Sequence, residues 1–359
     1  MNFYLQVDTL STVILGIETS CDDTGVSIVV DGHLIKSNVI ASQTSIHNQH
    51  GGIVPELASR QHIRDIMPVI DLSLKESEMD ITDIDIISAT YGPGLAGSLI
   101  TGLNAAKTIS MCLNKPFYGV NHLEGHVYSA WLDQATGPDK QIGFPIVALI
   151  ASGGHTDLVL MKDHGIYELL GHTLDDAAGE CFDKAARILG LGFPGGPEIQ
   201  KTAGEHLSDF HLPRAWLPGT SNFSFSGLKT AVLKLAIDQN VYPEDSSKLD
   251  KKSRDNLIIE ISAAFQESVV DVLSSKVIKA ASDHRAKGII IGGGVAANLP
   301  LRERINQLSP IPTYIPVPRL CTDNGAMIAA AAYHQQLRQE PWDLKLDINP
   351  GLKIYDIVH

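Results

Sequence analysis

Val13-Ile14-Leu15-Gly16-Ile17-Glu18-Thr19-Ser20-Cys21-Asp22-Asp23-Thr24-Gly25-Val26-Ser27-Ile28-Val29-Val30-Asp31-Gly32 is the stretch from which the fold can be read. Val13 to Glu18 is a short apolar run that reads as a buried strand. A polar loop follows, then a second apolar run from Thr24 to Val30. Asp31-Gly32 is a strong hairpin signal, and it returns the chain into a third run, Leu34 to Ile40. From Pro55 to Leu74, Leu57, Ile63, Ile66, Met67, Ile70 and Leu74 recur at helical spacing, with Pro68 as a point where the helix is expected to kink or restart. Ile84 to Tyr91 reads as another strand, and a helix is expected from about Leu95 to Leu113.

The pattern then begins again. Pro145 to Ala151 is an apolar strand ending in Ser152-Gly153-Gly154. Thr156 to Met161, the turn Asp163-His164-Gly165 and Ile166 to Leu170 complete a second three-strand set, with an Ala-rich helix expected over Asp175 to Leu189. Gly288 to Ile291 feeds Gly292-Gly293-Gly294 and a further helix. Two copies of one strand-loop-strand-hairpin-strand-helix order imply two lobes of similar fold with a cleft between them. Asp133 to Gly143 is expected as a linker, and Asp238 to Asn256 as an exposed loop between helices.

The 359 residues suffice for two domains, and no apolar run reaches the roughly 18 residues of a membrane helix. Met1 to Thr12 reads as a short extension and not a signal or transit peptide. Cys21, Cys112, Cys181 and Cys321 form no CxxC pair, which argues against a disulfide scaffold or zinc ribbon and fits a reducing cytoplasm. A net charge of −13 argues against a dedicated nucleic-acid binder, but not against a local basic patch or a partner that helps to hold RNA. The candidates for phosphate contacts are scattered: Lys229, the run Lys248 to Arg254, and Arg302 with Arg304.

Gly92-Pro93-Gly94-Leu95-Ala96-Gly97 and Gly190-Leu191-Gly192-Phe193-Pro194-Gly195 both match GxGxxG, so the pattern is cheap in this chain. No acidic residue stands about 20 residues beyond the first, where a ribose-binding carboxylate belongs, and no Lys follows Gly97. The first loop reads equally as a tight turn or an anion loop. Ser152-Gly153-Gly154 and Gly292-Gly293-Gly294, each ending a strand of the second lobe, together favour a nucleotide cradle over plain turns. His122-Leu123-Glu124-Gly125-His126 puts two imidazoles at i and i+4 on one helix face, either a metal pair or two ordinary polar residues. Glu124 is third in the motif, not second, and is expected on the other face, so a zincin-type base is poorly supported. Asp323, ahead of an Ala-rich helix, is a candidate third ligand, though by sequence alone an N-cap is the preferred reading. Asp175, Asp176, Glu180 and Asp183 are expected on one helix, as a solvated face or as a polar rim to the cleft. Ser152, His155 and Asp157 lack the GxSxG elbow of a hydrolase.

These motifs, with Gly51-Gly52-Ile53-Val54-Pro55-Glu56-Leu57-Ala58-Ser59-Arg60, Phe182-Asp183-Lys184, Pro194-Gly195-Gly196-Pro197, Phe223-Ser224-Phe225-Ser226-Gly227-Leu228-Lys229, Gly292-Gly293-Gly294-Val295-Ala296-Ala297-Asn298 and Cys321-Thr322-Asp323-Asn324, stand in the order of one family. Over about residues 13 to 335 the chain resembles the TsaD family of tRNA adenosine threonylcarbamoyltransferases, formerly described as glycoprotein endopeptidases. The resemblance implies an α/β fold of two ribonuclease-H-like lobes, of the actin-like and Hsp70-like ATPase superfold, with an interlobe cleft. The first lobe is expected over 1–120, completed by a C-terminal helix at about 323–340, and the second over 121–322. His122, His126 and Asp323 match the family's metal ligands, for one Fe2+ per chain with Zn2+ as a substitute. Ile150, Ala151, Ser152, Gly153, Gly154, Asp183, Gly196 and Asn298 match its nucleotide-side residues, and Glu18, near the family's first phosphate-side loop, is the candidate catalytic helper. The implied reaction takes threonylcarbamoyl-AMP to the exocyclic amine of the tRNA adenosine beside the anticodon and releases AMP. The implied partners are TsaB-like and TsaE-like proteins, and the implied place is the cytoplasm. A small-molecule kinase of the same superfold and a non-catalytic nucleotide-binding scaffold are the alternatives.

Overall fold

In the computed structural model, which describes residues 11–134, 136–245, 247 and 249–356, ten strands form two five-stranded sheets. The first holds β1 (Val13–Glu18), β2 (Asp23–Val30), β3 (Leu34–Ser42), β4 (Ile86–Gly92) and β5 (Phe117–Asn121), in the order β3-β2-β1-β4-β5. The second holds β6 (Ile146–Ala151), β7 (Thr156–Asp163), β8 (Ile166–His172), β9 (Gly288–Gly292) and β10 (Thr313–Tyr314), in the order β10-β9-β6-β7-β8. The two orders are the same topology. β1 and β6 are central, each antiparallel to the next strand in sequence and parallel to β4 or β9. This is an α/β molecule of two lobes. The predicted hairpin is present, with Asp31 at φ 51° and Gly32 at φ 69°, the positive values such a tight turn needs.

Three apolar clusters hold the fold. One lies under the Pro55–Ser77 and Ala96–Leu113 helices, against β1, β2 and β4. A second fills the outer side of the second sheet, under the long Lys251–Asp283 helix. The third lies between the sheets and contains the His122–Tyr128 helix and Ala326 to Ala332 of the Gly325–Gln336 helix. That last helix packs on β1, β2 and β5. It comes so close that a Cβ on Gly16 would sit 2.2 Å from the Gly325 carbonyl oxygen, and one on Gly325 would sit 2.5 Å from that of Gly16. A methyl group at either position would overpack the contact, at a cost of about 1–3 kcal/mol. This approach sets the residues just ahead of Gly325 beside the end of β1.

Several expectations need correcting. The helix expected to kink or restart at Pro68 does not restart there but runs as one element from Pro55 to Ser77. Pro68 and Arg64 are both exposed, so water can satisfy the carbonyl left without a donor. The loop expected over Asp238 to Asn256 ends at Asp250, whose carboxylate caps the Lys251–Asp283 helix through the Ser253 N–H. The expected linker Asp133 to Gly143 contains a short helix, Pro138–Ile142. The C-terminal segment carries no motif yet is part of the first lobe's packing. The Asn349 N–H donates to the Tyr91 carbonyl and the Trp342 N–H to that of Phe117, and Leu352 and Ile354 are buried. The Met1 to Thr12 extension lies almost wholly outside the described residues, as does Lys248. Among the described residues no helix is long and apolar enough to cross a membrane.

Candidate functional site

The end of β1 turns a carboxylate inward. Glu18 is fully buried and accepts hydrogen bonds from the Ser20 N–H at 2.5 Å and the Thr90 hydroxyl at 2.6 Å. The oxygen that accepts from Thr90, Oε2, also lies 3.0 Å from His122 Nδ1, and Ser20 Oγ lies 3.1 Å from the same nitrogen. The loop that follows is held from outside. The Leu95 N–H donates to the Ser20 carbonyl, Ser98 Oγ donates to the Cys21 carbonyl, and His62 bridges that carbonyl and Thr24 Oγ1. Glu18 therefore fixes the His122 ring by its Nδ1 side and leaves Nε2 facing the cleft.

Asn121 caps the His122–Tyr128 helix through the Leu123 and Glu124 N–H groups, which starts the helix at the first imidazole. His122 and His126 stand one turn apart with ring centroids 4.7 Å from each other. Asp323 meets them from the other side, its Oδ1 3.7 Å from His122 Nε2 and 3.2 Å from His126 Nε2. The ligand atoms of the three residues lie within 4.8 Å of one another. Asp323 is not a cap, because the neighbouring Asn324 accepts from the Met327 N–H and does that work. His126 is wholly buried, yet neither of its ring nitrogens has an aligned hydrogen-bond partner. A buried polar atom without a partner is costly, and a cation between the rings and the carboxylate would remove that cost at Nε2, the nitrogen that faces Asp323. These residues therefore fit a metal ion.

The electrostatics agree. Burial opposes charge on the His122 ring, but the carboxylates of Glu18 and Asp323 outweigh it and hold that imidazole up at about 9. Burial likewise works to raise Asp323, and the two histidines instead hold it well below the usual carboxylate range. His126 is lowered by burial despite its acidic neighbour. The buried carboxylate of Glu18 and the partly exposed one of Asp323, set around two imidazoles, form a pocket that favours positive charge.

The glycine loops lie alongside. Gly292 approaches the His126 carbonyl so closely that a Cβ would be 2.5 Å from it. At Gly153, Gly154, Gly196 and Gly294 a Cβ would meet nothing within 4 Å, so these backbones border open space, while Ile150 and Ala151 form the buried end of β6. Asp183 accepts from the Gly195 N–H at 2.7 Å and so ties the Gly195–Ala203 helix start to its own helix. Asn298 accepts from the Leu301 N–H and donates to Gln266, which pins the turn after Gly294. Gly293 differs from Gly153. It has φ 88°, and its Cβ would fall 2.3 Å from the Ala151 carbonyl oxygen, so a side chain there disturbs the backbone before any ligand is reached.

The acidic cluster is not one helical face. The helix starts at Ala178, and Asp175 lies ahead of it, accepting from the Phe225 and Ser226 N–H groups and from the Ser224 and Ser226 hydroxyls. Asp176 and Glu180 share Lys184. Two basic residues that looked free for RNA are engaged. Arg302 donates to the Ala296, Pro316 and Ile315 carbonyls, and Arg304 pairs with Asp271. Sequence reasoning did not single out Ser20 or His62. Ser20 sits inside the Gly16-Ile17-Glu18-Thr19-Ser20 motif, but nothing local ties His62 to the Cys21 loop.

Comparison with known proteins bears on what such a site does. Residues 35–330 match the family model TsaD, tRNA N6-adenosine threonylcarbamoyltransferase. Proteins of that name from Thermomicrobium roseum and Dehalococcoides mccartyi are 49% and 48% identical to this chain, each over 95% of it and over 97% and 99% of their own lengths. The Bacillus anthracis protein of the same name is 45% identical over 96% of this chain and 97% of its own. Among solved structures, the Acidaminococcus fermentans (R)-2-hydroxyglutaryl-CoA dehydratase component A shares the fold, with a TM-score of 0.51 and 17% identity over 92% of this chain and all of its own. Full-length HypF, in its phosphate- and nucleotide-bound form, superposes with a TM-score of 0.55 and 14% identity over 92% of this chain and 47% of its own.

Proposed function

This chain belongs to the TsaD family of tRNA N6-adenosine threonylcarbamoyltransferases, and from that premise we propose how its cleft divides the work. The enzyme forms threonylcarbamoyladenosine in tRNA. In this reading the donor is threonylcarbamoyl-AMP. Its nucleotide half lies in the second lobe, along Ile150, Ala151, Ser152, Gly153, Gly154, Asp183, Gly196 and Asn298. The bare glycine backbones bring N–H groups to the phosphate, while Asp183 and Asn298 hold the loops that border it. The reacting half points to His122, His126 and Asp323, which would hold one divalent ion. Two imidazoles and a carboxylate suit Fe2+, with Zn2+ as a substitute. Such an ion supplies a Lewis acid for the carbamoyl oxygen.

The bond formed joins the adenosine exocyclic nitrogen to the carbamoyl carbon, and the bond broken is the one from that carbon to the AMP phosphate oxygen. The amine is a weak nucleophile, so the chain's main contribution is to hold donor and acceptor in line and exclude water. Glu18 is a positioning residue, keeping the Nδ1 proton of His122 and the orientation of its ring. The observation that carries this reading is the juxtaposition of Gly292 with the His126 carbonyl, which sets the glycine loops against the helix bearing the imidazoles. The kinase and scaffold readings are not favoured by relatives of 45–49% identity that bear a transferase name.

Mass spectrometry of tRNA nucleosides after depletion of the chain tests the reading. Threonylcarbamoyladenosine should disappear, return with the wild-type chain and stay absent with His126→Ala. Its persistence after complete depletion would count against the assignment.

The partner reading follows from charge. With a net charge of −13, and with Arg302 and Arg304 engaged internally, the described basic candidates for tRNA phosphates reduce to Lys229 and the Lys251 to Arg254 turn. Arg254 itself pairs with Glu244. We place the chain in the cytoplasm, in an assembly with TsaB-like and TsaE-like proteins. The docking face is that of the Pro55–Ser77 helix, where Ile63 and Met67 are 66% and 61% exposed. Titration at physiological salt should show tRNA bound weakly by the chain alone and at least roughly tenfold more tightly with partners. Tight binding and full transfer by the chain alone would refute it.

A further inference from the structure

Glu124 stands between the two histidines in sequence but has no part in the site described above. It lies on the opposite face of the His122–Tyr128 helix and is wholly buried. A carboxylate in that position needs partners, and it has three from two other parts of the chain. The Tyr167 hydroxyl of β8 donates at 3.3 Å, Gln335 Nε2 donates at 3.3 Å, and Arg338 Nη2 lies 3.6 Å away. Gln335 is in the last turn of the helix that Asp323 precedes, and Arg338 follows just beyond it. Arg338 is itself fixed, donating to the His164 and His334 carbonyls.

The two elements that bring the imidazoles and Asp323 together therefore touch at two levels. Gly125 meets the Gly325–Gln336 helix so closely that a Cβ would lie 2.9 Å from Ile328 Cδ1. Beyond that contact, Glu124 reaches to Gln335 and Arg338 at the far end of the same helix. With Gly125 packed against Ile328, the Glu124 contacts set how the helices cross. That crossing sets the separation of His122 and His126 from Asp323. A buried ion pair is weak evidence for stability, since apolar residues of like volume pack as well or better. What the carboxylate adds is direction: three donors converge on it from two elements.

We infer that Glu124, held by Gln335 and Arg338, is a positioning residue for the His122–His126–Asp323 metal site. It sets the crossing of the helix that carries the two imidazoles and the helix that Asp323 precedes. This inference rests on the reading of those three residues as a metal site. Outer partners of metal ligands typically alter affinity by roughly 10- to 100-fold, and this contact acts at one further remove, through the helices.

Co2+ binding to the metal-free full-length chain tests it, read by the visible absorption of the bound ion and by competition with a chelator, with thermal unfolding recorded in parallel. Glu124→Gln should weaken Co2+ about tenfold and shift its absorption bands. Arg338→Met should do the same, and the double variant should lose little more than either single one, because both remove one linkage. Leu273→Ala, in the outer core of the second lobe, is the control: it should lower thermal stability and leave the Co2+ affinity and spectrum unchanged. Wild-type affinity and spectrum in both Glu124→Gln and Arg338→Met would overturn the inference while leaving the metal site standing. A wild-type chain that binds no Co2+ would overturn both.

Discussion

The loops after β1 and β6 occupy the same place in two sheets of one topology, yet they are built in opposite ways. In the first lobe six residues separate the paired Glu18 and Gly25, and in the second only four separate Ala151 and Thr156. The longer loop is filled by side chains: Ser20, Cys21, Asp22 and Asp23, gripped by His62 and Ser98. The shorter one is Ser152-Gly153-Gly154-His155 and borders empty space at both glycines. The loops after β4 and β9 repeat one contact, since a Cβ on Gly94 would meet the Ser20 carbonyl and one on Gly293 that of Ala151. A duplicated fold thus supplies two equivalent loop pairs. One is a mount for His122, and the other leaves open space beside its glycines, which is where we propose the nucleotide lies.

The largest effect should come from the ligands themselves. His122→Ala with His126→Ala should reduce bound metal from near one ion per chain to near none. Transfer should fall by more than the roughly 10- to 100-fold that loss of an outer partner costs. Metal analysis by mass spectrometry on the folded variant checks it, and full occupancy would remove the metal from this site.

The next test sets glycine against glycine. Gly153→Val should abolish most adenylate binding while stability stays within about 0.5 kcal/mol, because the new side chain enters open space. Gly293→Val should instead cost stability, on the order of 1–3 kcal/mol for the positive φ alone, with the clash against Ala151 added. Calorimetric titration with AMP, beside urea unfolding, separates the two. Equal behaviour of the two variants would erase the distinction between a cradle and a packed turn.

Glu18→Gln probes the mount. The amide keeps the shape but loses the charge beside His122 Nδ1, and metal affinity should fall by roughly 10- to 100-fold with the ligands untouched. Replacing Ala151, the last residue of β6, by Gly should leave metal binding unaltered, as no side chain there orients a ligand. Chelator competition on the two proteins decides whether the ends of β1 and β6 differ as described.

What could be read from sequence followed the range of the interactions involved. The strand runs, the Asp31-Gly32 hairpin and the i,i+4 histidine pair are local patterns, and so they were legible. Asp323 was ambiguous because Asn324 is its neighbour. Either residue can cap a helix, and only the chain's path shows that Asn324 does so while Asp323 faces two imidazoles about 200 residues away. Glu18 had no visible partner for the same reason, since His122 lies 104 positions on. Asp175 looked like part of a helical face because its true donors, around Ser224 to Ser226, are about 50 positions distant. The continuity of the helix through Pro68 depends on exposure of the Arg64 carbonyl side, which no single residue signals.

The smallest effect concerns the extra length of the first loop. Asp23 stands where it enters β2, and burial, with the charge of Asp22 adding to it, pushes its carboxyl up to about 7. No carboxylate stands between Ala151 and Thr156 in the second copy. Between about pH 4 and pH 7 the folded chain thus keeps a proton on Asp23 that the unfolded chain has released. The unfolded state binds fewer protons there, so stability falls as pH rises through that window. After allowance for solvent at this partly exposed group, the loss is about 2 kcal/mol by pH 8. Asp23→Asn removes the titration. Its carbonyl can still accept hydrogen bonds, and its amide supplies a donor where Asp23 Oδ1 has no partner. The variant should match the wild-type chain near pH 4 and exceed it by about 2 kcal/mol at pH 8, measured by urea unfolding of the metal-free proteins. Every other titrating group is common to both chains, so the difference between their curves reports Asp23 together with its interaction with Asp22. Parallel curves from pH 4 to pH 8 would mean that the longer loop carries its second acid at no cost, and that its extra charge does not set it apart from the glycine loop of the second lobe.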